Sequence, residues 1–266
     1  MKYPRVLSIA GSDSGGGAGI QADIKAISAC GSYAATAITA ITVQNTLGVE
    51  AVHPVPIEIL EGQIAAVLSD IGADAVKIGM LHSSEVVLAV KGQLLAFGQG
   101  NIVLDPVMVS TSGHRLIEES AVKTLSEELL PIARVITPNI PEAEILAGEK
   151  ISGLEDLPRI ARRLSQGGKV SVMMKAGHLE GDELVDYFYN AEEDHIIELR
   201  SERVYSPNTH GTGCTLSSAF AAYLAQGCSL DESARKAKDY IAKAIVSGAR
   251  YEIGHGHGPV DHFWNL

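Results

Sequence analysis

A glycine-rich segment near the end of the chain carries the residues best suited to chemistry. It reads Asn208-Thr209-His210-Gly211-Thr212-Gly213-Cys214 and runs into a small-residue helix predicted over Thr215–Ala225. Glycines let a backbone approach a ligand closely, and a helix start adds unpaired N–H groups and the positive end of its dipole. We therefore expect the segment Gly211–Cys214 to bind an anion such as a phosphoryl group.

Cys214 falls where the first turn of that helix begins. The field of the helix favours thiolate over thiol there, so we expect the pKa of Cys214 to lie below the free value of about 8.5. A polarised cysteine beside a phosphate site is suited to act as a catalytic base. The simpler alternative is a glycine-rich helix start that contains a buried cysteine.

Four further candidate residues come after predicted strands. Asp105 ends one strand, Asn139 and Glu142 follow another, and Lys175 ends a third. Ligands of a parallel α/β sheet bind beyond the carboxyl ends of its strands, so these side chains should meet at one edge. Asp105 and Glu142 offer the oxygen ligands that Mg²⁺ prefers, and Lys175 suits a nucleotide phosphate. Asn139 with Glu142 is also the pattern of a helix capping box, and Lys175 fits equally a solvated strand end.

The first predicted strand runs into a glycine-rich loop, Gly11–Gly19, and then into a helix that carries Asp23. The loop lacks the Gly-Lys-Ser/Thr ending of a phosphate-binding P-loop, and its glycine spacing does not fit a dinucleotide fingerprint. We interpret it as a loop that brings the backbone close to a ligand. Asp23 either contacts that ligand or complements the positive end of its own helix.

Short apolar strands alternate with amphipathic helices along most of the chain. Strands are predicted at Val6–Ala10, Ala75–Gly79, Ile102–Asp105, Arg134–Thr137 and Val170–Lys175, with a late antiparallel hairpin from Leu184–Tyr189 and His195–Arg200. Helices are predicted at about Gly19–Ala29, Ile57–Ser69, Ser84–Ala96, Ser120–Leu129, Leu157–Ser165, Thr215–Ala225 and Asp231–Ser247. This alternation is typical of a three-layer α/β/α fold with a mostly parallel central sheet.

The composition agrees with one α/β enzyme domain over residues 1–266. The formal charge of −11 argues against nucleic acid and anionic membranes as partners, and no apolar run approaches the ~20 residues of a membrane span. The N-terminal residues lack the pattern of a signal peptide, and the three cysteines form no paired framework. These features predict a cytoplasmic enzyme with reduced thiols.

Several segments in register resemble the hydroxymethylpyrimidine/phosphomethylpyrimidine kinases of the ribokinase-like superfamily. The match runs from about residue 5 to Phe263. Its motifs are Ala10-Gly11-Ser12-Asp13, Gly16-Gly17-Ala18-Gly19-Ile20-Gln21-Ala22-Asp23, Thr42-Val43-Gln44-Asn45-Thr46, Lys77-Ile78-Gly79-Met80-Leu81, Leu104-Asp105-Pro106-Val107-Met108, Thr137-Pro138-Asn139-Ile140-Pro141-Glu142, Asn208–Cys214 and Gly256-His257-Gly258-Pro259-Val260.

The resemblance implies an ATP- and Mg²⁺-dependent kinase of thiamine biosynthesis. Such enzymes phosphorylate the hydroxymethyl group of 4-amino-5-hydroxymethyl-2-methylpyrimidine, here called the hydroxymethylpyrimidine, and then convert that monophosphate to the diphosphate. The partners implied are the small pyrimidine and ATP. The resemblance also implies a homodimer, in which the apolar stretch Ala34–Val43 either reaches a neighbouring subunit or belongs to the core.

The resemblance further assigns roles residue by residue. The pyrimidine would be read by Asp23 and Gln44 in a pocket that includes Gly11, Val43 and Met80. Mg²⁺ would be held, directly or through water, by Asp105 and Glu142. The nucleotide would be contacted by Lys175, Asn139 and Asn208. The anion hole would be formed by Gly211, Thr212, Gly213 and Cys214, with Cys214 as the base.

Three alternatives remain open at this point. The nearest is a pyridoxal kinase on the same scaffold, against which Gln44 and Met80 favour the pyrimidine. A second is a non-catalytic pyrimidine sensor, which would bind the pyrimidine without turning over ATP. A third is an enzyme that uses Cys214 as a nucleophile, although His210 is too close to it in sequence to be taken as its base.

Overall fold

The structure, a computed structural model, describes residues 2–109, 113, 116–177 and 183–265. The described part of the chain forms a nine-stranded sheet in the order β3-β2-β1-β4-β5-β6-β7-β8-β9. The strands are β1 (Arg5–Ser12), β2 (Tyr33–Gln44), β3 (Val49–Pro54), β4 (Ala75–Ile78), β5 (Ile102–Leu104), β6 (Val135–Ile136), β7 (Ser171–Met174), β8 (Glu183–Asn190) and β9 (His195–Glu202).

The helices lie between these strands and at the end of the described chain. They are α1 (Gly19–Ala29), α2 (Ile57–Ala66), α3 (Ser84–Ala96), α4 (Glu119–Thr124), α5 (Ile140–Ala147), α6 (Leu157–Leu164), α7 (Thr212–Ala225) and α8 (Leu230–Gly248). Two of them continue as single π-helical turns, α2 over Val67–Ile71 and α4 over Leu125–Leu129. No helix among the described residues is long and apolar enough to cross a membrane.

Helices cover both faces of the sheet. Because successive strand residues point to opposite faces, Leu7 and Ile9 enter one core while Val6 enters the other. The first core packs against α2 to α6, and the second packs against α1, α7 and α8. The predicted three-layer arrangement is therefore confirmed.

The direction of the strands decides where the candidate residues gather. Strands β2, β1, β4, β5, β6 and β7 run parallel, whereas β3, β8 and β9 pair antiparallel at the two edges. All six parallel strands therefore present their carboxyl ends at one edge, which is where ligands bind in such sheets. The predicted late hairpin is confirmed as β8 and β9.

Two strands and one helix boundary differ from the sequence-based prediction. Strands β2 and β3 were missed because β2 shows no regular alternation of apolar and polar residues, and β3 is largely exposed. Helix α7 begins at Thr212 rather than Thr215, so Gly213 and Cys214 already belong to its first turn. The segment Gly254–Pro259 has no helix or strand apart from an isolated bridge between His210 and Pro259.

Candidate active site

One cavity of about 620 Å³ opens at the carboxyl edge of the sheet. Most of the predicted site residues line it: Gly11, Gln44, Met80, Asp105, Asn139, Glu142, Lys175, Gly211, Thr212, Gly213 and Cys214. Three predicted site residues are not among the lining residues: Asp23, Val43 and Asn208. The cavity runs without interruption from the end of β2 past the start of α7 to Lys238 and Ile245 on α8.

The start of α7 lies at the centre of this cavity. Gly211 caps the helix in the left-handed region with φ +77°, and a Cβ there would lie 1.9 Å from the carbonyl oxygen of Gly17. A Cβ on Gly213 would lie 3.1 Å from Lys175 Nζ. Both glycines therefore permit close approach, and the first N–H groups of the helix lack intrahelical acceptors.

An ion pair lies on the cavity wall next to the helix start. Lys175 Nζ donates to Asp105 Oδ1 at 2.8 Å, and Thr137 Oγ1 donates to the same oxygen at 2.9 Å. Burial alone would raise the pKa of Asp105, but Lys175 and Lys77 outweigh it and hold that pKa below its usual range. Asp105 is therefore ionised at neutral pH.

Asn139 and Glu142 form the capping box that their spacing predicted. The Glu142 N–H donates to Asn139 Oδ1 at 2.9 Å, and the Asn139 N–H donates to Glu142 Oε2 at 2.8 Å. Burial raises the pKa of Glu142 to about 7 despite Lys175, and Asp105 adds to the rise. Asn139 and Glu142 therefore both cap helix α5 and line the cavity.

The donor set around Asp105 and Glu142 fits a divalent cation. Two buried carboxylates face the cavity, and their nearest ammonium group is that of Lys175, 4.0 Å from Glu142 Oε2. The raised pKa of Glu142 means that too little positive charge lies nearby to stabilise its ionised form. A hard cation with oxygen ligands would supply the missing positive charge.

Cys214 lines the cavity, but its protonation state differs from the prediction. Burial raises the pKa of its thiol to about 11, and Asp23 and Asp105 add to the rise, whereas Lys77 and the Gly19 N–H oppose it. The expectation of a depressed pKa was therefore wrong. Removal of the sulfur from water outweighs the field of the helix start, so Cys214 is a thiol at neutral pH.

Asp23 forms a buried ion pair with Lys77 behind the cavity. Lys77 Nζ lies 2.9 Å from each carboxylate oxygen, Ser8 Oγ donates at 2.6 Å and Ser218 Oγ at 2.7 Å. The side chains of Asp23 and Lys77 are both 0% exposed. The placement gives no support to direct reading of a ligand by Asp23.

One part of the cavity is lined by the residues predicted to contact the acceptor, Gly11, Gln44 and Met80, and is called the acceptor end. A Cβ on Gly11 would lie 3.0 Å from Met80 Sδ, so glycine lets strand β1 pass close to that side chain. Gln44 contributes a side-chain amide, which both donates and accepts hydrogen bonds. Val43 points away from the cavity and is 54% exposed on the outer face of β2.

Asn208 supports the site from outside. Its side-chain amide donates to the carbonyl oxygens of Gly248 at 2.8 Å and Tyr251 at 2.6 Å. It therefore ties the segment before α7 to the end of α8. The nucleotide contact predicted for Asn208 has no support from this placement.

The sequence profile of the family described as phosphomethylpyrimidine kinase matches residues 13–261. The chain is 50% identical to the hydroxymethylpyrimidine/phosphomethylpyrimidine kinase of Rhizobium meliloti, over 97% of this chain and 96% of that protein. The chain belongs to the phosphomethylpyrimidine kinase family.

The chain is also similar to a longer protein and to a kinase of known structure. The chain is 48% identical to the thiamine biosynthesis bifunctional protein ThiED of Geobacter sulfurreducens over 98% of its own length, and it spans 53% of that longer protein. Its structure is also similar to that of a Bacillus subtilis pyridoxal kinase in an ADP complex. The TM-score is 0.89, with 34% identity and 98% of each chain covered.

The structure adds residues to which the sequence assigned no role. Asp13 and His210 form a buried pair beside the cavity, with His210 Nε2 at 2.9 Å from Asp13 Oδ2. At the opposite end, Lys238 Nζ lies 2.7 Å from Asp186 Oδ2, and both residues line the cavity. Lys77 had a usable signal, since a charged residue inside an otherwise apolar strand needs a buried partner. The partners themselves are distant in sequence and could not be read from it.

We predict that Asp23→Asn lowers the free energy of unfolding by about 3–5 kcal/mol, because it leaves the buried Lys77 ammonium without its counter-charge. Urea unfolding followed by circular dichroism measures the loss. Asp74→Asn is the matched control, since Asp74 pairs with Arg5 but is 31% exposed and should lose less than about 1 kcal/mol. Equal effects of the two substitutions would contradict the role given to the buried pair.

The raised pKa of Cys214 predicts slow alkylation. At pH 7 the thiolate fraction is about one in ten thousand, so iodoacetamide should modify Cys214 at least about a hundredfold more slowly than a free cysteine peptide. The rate should rise about tenfold per pH unit between pH 7 and 9. Peptide mass spectrometry resolves Cys214 from the partly exposed Cys228, which serves as the internal reference. A Cys214 rate independent of pH in this range would show that the thiolate is already formed.

Proposed function

We propose that the chain is an ATP- and Mg²⁺-dependent kinase of thiamine biosynthesis, with residues 1–266 forming one kinase domain. It phosphorylates the hydroxymethylpyrimidine and then converts the monophosphate to the diphosphate. The observation that carries the proposal is the continuous cavity of about 620 Å³, with a polar amide at one end and the start of α7 at its centre, in a member of this kinase family. A cytoplasmic location, where ATP is present and thiols stay reduced, is part of the proposal.

The acceptor end suits an aminopyrimidine. The ring carries an amine that donates hydrogen bonds and ring nitrogens that accept them, and the Gln44 amide offers both complementary groups. Met80 and the close approach of Gly11 supply an apolar wall for the ring. Sites that pair such groups reject analogues lacking them more sharply than an apolar pocket does. We therefore assign recognition of the pyrimidine to Gln44 rather than to the buried Asp23.

The phosphoryl-transfer end suits a nucleotide triphosphate. Lys175 lies beside the anion-binding start of α7, and Asp105 and Glu142 would hold Mg²⁺ directly or through water. A cation held there would offset the negative charge of the phosphate oxygens. The N–H groups of Gly211–Cys214 would stabilise charge on the transferred group, and one such donor is typically worth about 10²–10³-fold in rate.

Cys214 is the proposed base, and its environment sets a condition on that role. The thiol holds its proton in the site as described, so it accepts the hydroxymethyl proton only after losing its own. Lys77 favours the thiolate, whereas Asp23 and Asp105 oppose it. Offsetting the charge of Asp105 therefore shifts Cys214 towards the thiolate. A base of this kind contributes about 10²–10⁴-fold.

The function is tested by ADP release from ATP and Mg²⁺, with the hydroxymethylpyrimidine, its monophosphate and pyridoxal as separate acceptors. Turnover of both pyrimidines, with pyridoxal much poorer, is the expected result. Turnover of pyridoxal alone would assign the pyridoxal kinase activity that the structural similarity also suggests. Thermal stabilisation by the pyrimidine without ADP release would identify a sensor.

We predict that Cys214→Ala slows the first phosphorylation by about 10²–10⁴-fold and the second much less. The second acceptor is a phosphate that is already ionised near neutral pH, so it needs little help from a base. Cys214→Ser should be as slow as Cys214→Ala, because a serine hydroxyl replaces a hydrogen-bond donor but not a thiolate. Cys228→Ala, which changes a cysteine outside the cavity lining, is the control. Equal losses in both steps would contradict the base assignment.

The proposal includes a homodimer formed through the outer face of β2. Ile41, Val43 and Leu47 are 51%, 54% and 66% exposed, and together they present an apolar surface at this edge of the sheet. We expect sedimentation velocity to give a dimer and the double variant Ile41→Lys/Val43→Lys to give a monomer. Leu95→Lys, on the exposed side of α3, is the matched control that should remain dimeric. A monomeric wild-type protein would remove this part of the proposal.

A further inference from the structure

Asp13 is the centre of a buried polar network beside the acceptor end of the cavity. Its carboxylate accepts hydrogen bonds from the N–H groups of Gly15 at 2.8 Å, Gly17 at 3.0 Å and Ala18 at 2.8 Å. His210 Nε2 lies 2.9 Å from Asp13 Oδ2. Burial alone would raise the pKa of Asp13, but the hydrogen bonds from His210 and the loop amides hold it below its usual range. Asp13 is therefore a carboxylate that only accepts hydrogen bonds.

An acceptor of this kind determines the tautomer of His210. Because Asp13 has no proton to give, the hydrogen bond at 2.9 Å requires that His210 Nε2 carry the hydrogen. That nitrogen is therefore a donor and accepts nothing in the plane of the ring. Its single hydrogen is directed at Asp13, so a second group takes part only as the weaker acceptor of a three-centre hydrogen bond and must offer a lone pair.

The second group is the Gln44 side-chain amide. The structure places Gln44 Nε2 3.3 Å from His210 Nε2 and Gln44 Oε1 3.1 Å from Thr42 Oγ1. The Thr42 hydroxyl donates its single proton to the Ser12 carbonyl oxygen at 2.8 Å, so it has lone pairs left for Gln44. The sense of a glutamine amide, meaning which end carries the oxygen and which the nitrogen, is assigned from such partners. Exchanging the two ends of the amide satisfies both partners, with Oε1 against His210 and Nε2 against Thr42.

We propose that His210, held by Asp13, is a positioning residue that fixes the sense of the Gln44 amide and with it the donor–acceptor pattern offered to the acceptor substrate. This inference rests on the proposed function. In the fixed sense, Gln44 keeps one N–H and one oxygen lone pair for a ligand. An amine next to a ring nitrogen complements that pair, whereas a pyridine ring with an aldehyde offers no amine.

The surroundings of His210 hold its ring in place. A Cβ on Gly17 would lie 2.5 Å from His210 Cδ2, so the loop packs directly on the imidazole. The His210 N–H donates to the Gly258 carbonyl oxygen at 3.0 Å, which fixes the backbone on the other side. The ring is buried, and its orientation is set before any ligand arrives. The network is therefore preorganised.

The test compares His210→Leu, which removes the donor, with His210→Gln, whose amide N–H replaces the Nε2 donor. We expect His210→Leu to raise KM and calorimetric Kd for the hydroxymethylpyrimidine about tenfold, with kcat changed less than about threefold, because one hydrogen bond to a binding residue is lost. The pyridoxal Kd should change less than about threefold, and His210→Gln should restore the wild-type preference. His255→Leu replaces an exposed histidine and is the matched control.

Two results would overturn the inference: equal weakening of both ligands by His210→Leu, or a His210→Gln variant no better than His210→Leu. If His210→Leu does not fold, as judged by thermal denaturation, Thr42→Val and Thr42→Ser form the second pair. A Thr42→Val variant with unchanged pyrimidine Kd would overturn the inference equally. A wild-type protein that binds the pyrimidine without phosphorylating it would instead refute the proposed function, and the calorimetric comparison would still test the positioning role.

Discussion

The contact between Gly17 and Gly211 is the constraint on which the rest of the site depends. Their backbones pass so closely that a Cβ on Gly211 would lie 1.9 Å from the Gly17 carbonyl oxygen. This contact sets the loop after β1 against the start of α7, two segments that are far apart in sequence. The Asp13–His210 pair spans the same junction, with its partners 197 positions apart. The regions proposed to recognise the acceptor and to bind the anion therefore share one rigid support.

Two buried carboxylate–ammonium pairs beside this junction differ in their access to the cavity. Asp23 and Lys77 are both 0% exposed and are closed by two serine hydroxyls, so their charges are fully used within the protein. Lys175 keeps 15% of its side chain exposed and faces the cavity with Asp105. The first pair stiffens the contact between α1, α7 and the sheet. The second pair keeps charges that are accessible to a ligand. This difference in accessibility, rather than residue type, distinguishes a structural ion pair from one suited to catalysis.

The alternation of strands and helices was sufficient to predict the parallel sheet, and its direction correctly placed Asp105, Glu142 and Lys175 at one edge. The capping box of Asn139 and Glu142 was also readable, because both of its partners lie within four residues. The environment of Asp23 was not readable, because Lys77 and Ser218 reach it from distant segments. The pKa of Cys214 was predicted in the wrong direction for a related reason. The helix dipole is visible in a sequence, whereas the depth of burial that opposes it is not.

The division of the cavity bears on how one fold serves two kinds of acceptor. In the proposed function, the phosphoryl-transfer end consists of backbone N–H groups, a lysine and two carboxylates, which belong to other elements than Gln44 at the end of β2. Similarity to a pyridoxal kinase over nearly the whole chain is therefore compatible with a different acceptor, because this machinery does not depend on the ring. Discrimination must come from the few groups at the end of β2, where Gln44 meets Thr42 and His210. A half-buried amide held in one sense excludes a mismatched ring through unpaired polar groups, which costs more than a lost apolar contact. A small change in this network is thus sufficient to alter acceptor choice while the phosphoryl-transfer end stays the same.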